Sequence, residues 1–278
     1  MENRDVIECI NGSIIHHGKD SNRIYLMEKN DDTIKNITDE LEILANIKEY
    51  EKIILKCEEK DREYCLENGY IEEAEIPRFF NGKNKCYIMS KFINKKREAS
   101  SQLEQIIEVL FKAKAKPLID AKQMEKGYDI RILKEEHIEK MTKIYGEVFA
   151  SYPFPIYDSK YILKTMQENI IYFGVFYKSE LAGIASCEIS SKYNNAEMTD
   201  FAILNKHRGK GLAKAMLKEM EDEMIRRDIK TLYTIARAIS LAMNCTFSES
   251  GYLFGGTLIN NTQISGGIES MNVWYKNL

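Results

Sequence analysis

The sequence predicts an α+β protein in which a mixed, mostly antiparallel sheet is flanked by helices, with a smaller α/β segment ahead of it. Three observations carry that prediction. Ile170 to Tyr177, Leu181 to Ser190 and Ala196 to Leu204 are apolar runs separated only by the turn Lys178 to Glu180 and the polar loop Ser191 to Asn195, the pattern of an antiparallel meander. Leu212, Met216, Met220 and Met224 then recur every four residues, flanked by Leu217 and Ile225, so Gly211 to about Arg227 is a helix with one face on the sheet. Finally, Cys65-Leu66-Glu67-Asn68-Gly69-Tyr70 is echoed by Phe247-Ser248-Glu249-Ser250-Gly251-Tyr252, and in both places a strand precedes the helix and two strands follow it.

In chain order, Arg23 to Met27 reads as a strand and Thr33 to Tyr50 as a helix, with Ile34, Ile37, Leu41, Leu44 and Ile47 along one face. Lys52 to Cys57 is an Ile-rich strand, and Asp61 to Asn68 a helical turn closed by Gly69. Strands near Ala74 to Arg78 and Lys85 to Phe92 precede a helix from about Ala99 to Ala115, which carries Leu103, Ile106, Ile107, Leu110 and Phe111 and ends before Pro117. The polar stretch Asp120 to Gly127 places a domain boundary, giving an accessory α/β domain over 1–120 and a second domain over 128–278. The second domain reads as strand (Tyr128 to Leu133), helix (Glu136 to Phe149), a segment interrupted by Pro153 and Pro155, helix (Ser159 to Gln167), then the meander and its Met-lined helix. Strand Thr231 to Ala236, helix Leu241 to Ser250, and strands Gly255 to Ile259 and Met271 to Lys276 complete it. The echo admits two readings, a duplication that leaves a degenerate half-repeat at the front or a recurrent helix-Gly-Tyr ending.

Composition excludes several function classes. Lys plus Arg 40 against Asp plus Glu 43 gives a net charge of −3, no field to hold a phosphate polymer or an anionic leaflet, so neither nucleic acid nor membrane is an expected partner. No apolar run approaches the roughly 20 residues of a membrane span, and Met1 to Asp5 opens charged, which predicts a cytoplasmic protein. The six cysteines form no CxxC pair and read as reduced, mostly buried thiols. His16, His17, His137 and His207 lack metal-ligand spacing, so no metal is predicted; His16-His17 read as surface residues and His207 as solvated. Gly-x-Ser-x-Gly is missing.

The segment with chemistry is Asn205-Lys206-His207-Arg208-Gly209-Lys210-Gly211-Leu212-Ala213, between a strand and the amphipathic helix. It has neither Walker nor dinucleotide-fold spacing. Glycines that turn successive N–H groups into one concavity, a helix N-terminus, and Arg208 with Lys210 nonetheless make a nest for a pyrophosphate. With Arg208, Gly211 and Ala213 matching Arg/Gln-x-x-Gly-x-Gly/Ala, the strand Ala196 to Ile203, and Asn244, Phe247, Gly251 and Tyr252 as Asn-x-x-Phe then Gly-Tyr, the chain from about Tyr128 to Leu278 resembles the GNAT superfamily of N-acetyltransferases. The resemblance implies acetyl-CoA as co-substrate, a pantetheine arm along Phe201, Ala202 and Ile203, a pyrophosphate on Arg208, Gly209, Lys210, Gly211, Leu212 and Ala213, and a cofactor contact from Asn244.

Thr199 to Ala202, Arg237-Ala238, Met243-Asn244, Leu258 to Thr262 and Glu269 to Lys276 further resemble the branch of the superfamily that acetylates the side-chain amine of β-lysine, making a compatible solute. Other amines, a polyamine, protein lysine or N-terminus, and a non-catalytic acyl-CoA sensor are the alternatives. An amine with a pKa near 10.4 must lose a proton before attack. Glu197 stands where some family members keep a catalytic glutamate and is the first candidate base; Asp200 is the second, expected on the opposite face of its strand by alternation. The family's thiolate-protonating Tyr position is Phe247, leaving water or Tyr252. Arg237 is the expected clamp for the substrate carboxylate, with Asn260, Asn261, Glu269 and Asn272 as candidate anchors for its distant ammonium, and Phe154, Tyr157 and Trp274 as walls. The first domain has three open roles: forming a homodimer, covering the cleft, or stabilising the second.

Overall fold

These periodicities close into one continuous sheet in the computed structural model, which describes residues 5–30, 33–121 and 123–278; the charged opening Met1 to Arg4 lies outside them. The first half holds β1 (Val6–Ile10), β2 (Ser13–Gly18), β3 (Arg23–Glu28), α1 (Ile34–Lys48), β4 (Lys52–Cys57), α2 (Glu59–Glu67), β5 (Ile71–Phe80), β6 (Asn84–Phe92) and α3 (Leu103–Lys114). The second holds β7 (Tyr128–Ile132), α4 (Ile138–Val148), α5 (Ser159–Glu168), β8 (Ile170–Tyr177), β9 (Glu180–Ser190), β10 (Asn195–Ile203), α6 (Leu212–Arg226), β11 (Thr231–Arg237), α7 (Leu241–Glu249), β12 (Leu253–Ile264) and β13 (Gly267–Asn277). Strand order is β1-β2-β3-β4-β6-β5-β12-β13-β11-β10-β9-β8-β7.

That order is nearly symmetric about its middle. β3 and β4 run parallel, as do β10 and β11; β4 pairs antiparallel with β6 and β11 with β13, and the hairpins β5-β6 and β12-β13 meet at the centre. The hairpin β1-β2 stands where β8-β9 stands in the other half. The echoed sequence therefore ends equivalent helices, α2 and α7, and its tyrosines, Tyr70 and Tyr252, are both buried. Topology supports the half-repeat reading: the first half has counterparts of everything in the second except β7, α4 and α5.

Where β12 meets β5 the halves touch backbone to backbone. Gly256 registers against Ala74, and a Cβ there would lie 2.2 Å from the Glu73 carbonyl, so only glycine lets β12 approach β5. A core of Tyr25, Ile54, Ile76, Phe79, Tyr233 and Val273 spans this junction. The methionines of α6 pack with Phe247 and Trp274 under the second half, as a core stripe should.

Several expectations are corrected. The N-terminal polar stretch forms β1 and β2, with His16 and His17 buried; His17 bonds Tyr50 and Glu8 at 3.0 and 3.1 Å, which satisfies a ring the sequence alone leaves without partners. His207 is buried too, its Nδ1 2.7 Å from the Tyr128 hydroxyl. In α3 the buried stripe is Ile106, Val109 and Ala113, packed towards α7, while Leu103, Ile107 and Phe111 face out. Among the described residues no helix is long and apolar enough to cross a membrane.

Candidate functional site

The site begins with a parting of strands. β10 and β11 pair only over Asn195–Glu197 and Thr231–Tyr233, then diverge, although both continue for several residues. On its other side β10 slips register against β9 between Thr199 and Ala202, and Asp200 takes the left-handed conformation at φ +56°. Asp is among the few side chains that tolerate this region, and an irregularity of this kind bends a strand and re-aims its residues. Strand alternation consequently fails here: Glu197 and Asp200, expected on opposite faces, line the same cavity.

That cavity, about 110 Å³, lies between the two halves of the sheet. The second half contributes Glu188, Glu197, Asp200, Tyr152 and Tyr233, and the first contributes Arg23, Tyr25 and Lys56. Three half-buried carboxylates that line one cavity resist ionisation. Burial, reinforced by Glu188 and opposed by Lys56, pushes Glu197 up to about 8. Burial likewise raises Glu188 and Asp200, although Ser186 Oγ at 2.6 Å and the Tyr152 hydroxyl donate hydrogen bonds to the Asp200 carboxylate and pull it back. Lys56 reaches over the rings of Tyr25 and Tyr233, each 5.3 Å away, and donates to the Tyr233 hydroxyl at 3.3 Å.

From this cavity a slot opens through the parted strands, sharing Tyr152, Thr199, Asp200 and Ile235 with it and walled further by Phe201, Ala236 and Phe247. The slot shares Phe201, Arg237 and Met243 with an outer groove of about 500 Å³ that runs to Arg208, Gly209, Gly211, Leu212 and Ala213. Gly209 and Gly211 sit at φ +77° and +73°, and a Cβ at either would meet nothing within 4 Å, so the turn needs glycine for its backbone angles and not for space. Gly211 caps α6 without a side-chain hydrogen bond, leaving the helix's first N–H groups directed at the groove. Ala202 and Ile203 continue β10, with Ala202 buried and Ile203 on the groove wall. Lys210 is turned out of the groove into an ion pair with Glu125 at 2.6 Å, while Lys214 lines the groove paired with Glu249 at 3.0 Å.

Other predicted residues are held elsewhere. Asn244 makes no groove wall: its amide donates to the carbonyls of Arg237 and Ser240 at 3.0 and 2.8 Å, and its Oδ1 accepts from Asn272 and from the Trp274 indole at 2.8 and 2.9 Å. Asn244, Asn272 and Trp274 thus form a buried polar staple in place of cofactor, anchor and wall contacts. Asn260 is turned to the carbonyls of Arg97 and Ala99. Arg237 forks onto Glu269 at 2.8 and 2.6 Å, which neutralises both, and it borders the slot and groove without lining the inner cavity. Only Asn261 of the predicted anchors lines that cavity, together with Phe154. Tyr157 is partly exposed and bonds the Phe149 carbonyl, and Tyr252 is core, its ring 5.1 Å from Phe247. Arg23, Tyr25, Lys56, Tyr152 and Glu188 were missed by motif reasoning. The signal available was a charge inside a short apolar strand, Lys56 in Ile53-Ile54-Leu55-Lys56 and Glu188 in Ala185-Ser186-Cys187-Glu188.

Residues 136–247 match the acetyltransferase (GNAT) family. Over 267 residues the chain is 37% identical to the beta-lysine N(6)-acetyltransferase of Methanococcus maripaludis, an alignment covering 96% of this chain and 97% of that protein. The chain belongs to the GNAT acetyltransferase family. Beta-lysine N(6)-acetyltransferase of Methanosarcina mazei is 32% identical over 86% of this chain and 95% of its own length. The N-acetyltransferase YodP of Bacillus subtilis is 29% identical over 96% of each. The GNAT family match itself starts just before α4 and ends within α7, so the first half-repeat lies outside it yet inside the alignments with these full-length relatives.

Proposed function

We propose that this GNAT enzyme transfers acetyl from acetyl-CoA to the side-chain amine of β-lysine, giving N-epsilon-acetyl-β-lysine. The observation that carries the reading is the inner cavity with three carboxylates, joined by a slot to the glycine-turn groove. A small dication-bearing amine fits such a chamber, whereas a peptide needs an open trough. The near full-length likeness to two beta-lysine acetyltransferases supports the same substrate.

Acetyl-CoA supplies an activated thioester carbonyl. The turn Arg208 to Ala213 holds its pyrophosphate with backbone N–H groups and the α6 N-terminus, and Phe201 to Ile203 lie along its arm. Glu197 takes the ammonium proton: a carboxyl raised to about 8 is a far better match for an amine than an ordinary one. Glu188 and Asp200 orient the ammonium, and Tyr152, which lines both cavity and slot and donates to Asp200, is the candidate hydroxyl for the departing sulfur. Phe247 in the slot has no proton to give, and Tyr252 is out of reach in the core.

The test is thiol release from acetyl-CoA with purified protein and a panel of free amines. β-Lysine is expected to be turned over fastest, with α-lysine weaker; preference for spermidine or a lysine peptide would refute the assignment.

A further inference from the structure

A diamino acid also has a carboxylate, and Arg237 is already forked onto Glu269 outside the inner cavity. The inner cavity contains another guanidinium. Arg23 opens β3 in the first half-repeat and is only 4% exposed, yet its Nε has no hydrogen-bond partner, and no ion pair to it forms among the described residues. A buried guanidinium without an acceptor is costly, and natural proteins keep one where a ligand supplies the acceptor. Its neighbour Arg97 shows the contrast, since that side chain is satisfied by the carbonyls of Ser21, Asn22 and Asn260 at 2.6, 2.6 and 3.0 Å. The Tyr25 ring lies 5.3 Å from the Arg23 guanidinium and offers it no carboxylate, and Asp5, the carboxylate that acts on Arg23, is engaged by the Ser21 amide at 3.1 Å. Asn261, 4% exposed and also on the cavity wall, has an Oδ1 with no donor.

Spacing fits as well as chemistry. Arg23 and Lys56 reach the same Tyr25 ring, each 5.3 Å from its centroid, so at most twice that distance separates the guanidinium from the ammonium that sits with the carboxylates. A cation at one end and Glu188, Glu197 and Asp200 at the other suit an acyclic amino acid whose reacting amine is remote from its carboxylate. Burial draws Arg23 down to about 10, which leaves it charged at neutral pH.

We propose that Arg23 is the carboxylate clamp of the acetyl acceptor, so that the degenerate first half-repeat supplies the end of the site that recognises an acid, with Asn261 beside it. This rests on the β-lysine reading, and it makes the enzyme selective for an ω-amino acid over a polyamine of similar length.

The experiment compares β-lysine, its methyl ester and the carboxylate-free diamine of the same carbon chain as acceptors for wild type, Arg23→Gln and Arg23→Lys. For wild type, masking or removing the carboxylate should raise KM about 10- to 100-fold, the range for a charge-assisted hydrogen bond in a buried site, with kcat changed much less. Arg23→Gln should raise KM for β-lysine by the same factor and leave that for the diamine unchanged; Arg23→Lys should fall between. The ester comparison uses wild type alone and holds even if Arg23→Gln misfolds. Equal KM for acid and ester in wild type, or an Arg23→Gln loss that is the same for β-lysine and diamine, overturns the clamp. A wild type that acetylates no free diamino acid at all overturns the substrate reading first, a result distinct from either.

Discussion

Glu197 is the residue on which the chemistry turns. A base raised to about 8 must be ionised to work, so the rate with saturating substrates should climb as pH rises through about 8 and level off above it. Glu197→Gln should lower kcat by at least about 100-fold and remove that limb; a variant that keeps the wild-type profile excludes Glu197 as base. The same shift has a stability consequence of known sign. The folded state binds this proton more tightly than the ordinary value of 4.5 allows, so the associated stability is complete below about 4.5 and is lost as pH rises through about 8. Gln mimics the protonated acid; the Tm of Glu197→Gln should equal wild type at pH 4 and exceed it at pH 9. Asn244 belongs to the opposite class. Asn244→Ala orphans the Trp274 indole and the Asn272 amide, each worth about 1–3 kcal/mol when buried, and thermal melts should show the loss while KM for acetyl-CoA stays near wild type. The Asn-x-x-Phe string was visible in the sequence, but the partners that occupy Asn244 come from β13 and could not be read from spacing.

Among the elements, the turn into α6 and the parted β10-β11 pair define the cleft. Gly211→Ala adds a methyl to open space, so its whole cost is the left-handed φ, about 1–2 kcal/mol. We expect a roughly 5- to 30-fold rise in KM for acetyl-CoA, that energy expressed as affinity, with kcat less affected; an unchanged KM would detach the turn from the co-substrate. Elements with strong periodicity were legible: α6 from its methionines, β8 to β10 from their turns, and the glycine turn from its composition. β2 was not, because its histidines look solvated until Glu8 arrives from the paired strand and Tyr50 and Pro153 from farther along the chain. The irregularity at Asp200 was equally hidden. It arises from the register between β10 and β9, and it decides which carboxylates meet.

In the whole molecule, two halves that share most of their strand order meet at β5 and β12, and the inner cavity takes walls from both. The sequence announced the likeness through two short strings but left the first half's role open, since nothing local shows that Arg23, Tyr25 and Lys56 face carboxylates more than a hundred residues away. The close approach of β12 to β5 depends on Gly256, so Gly256→Val, which drives side-chain carbons into the Glu73 carbonyl, should part these two strands. A drop in Tm together with loss of amide-exchange protection at β5 and β12 is expected; intact protection would mean the junction is held elsewhere. The most direct test of the whole reading follows a 13C-labelled acetyl group from acetyl-CoA to β-lysine by NMR. A single new amide at the side-chain nitrogen is the predicted result, and label at the other amine, or none on β-lysine, contradicts it.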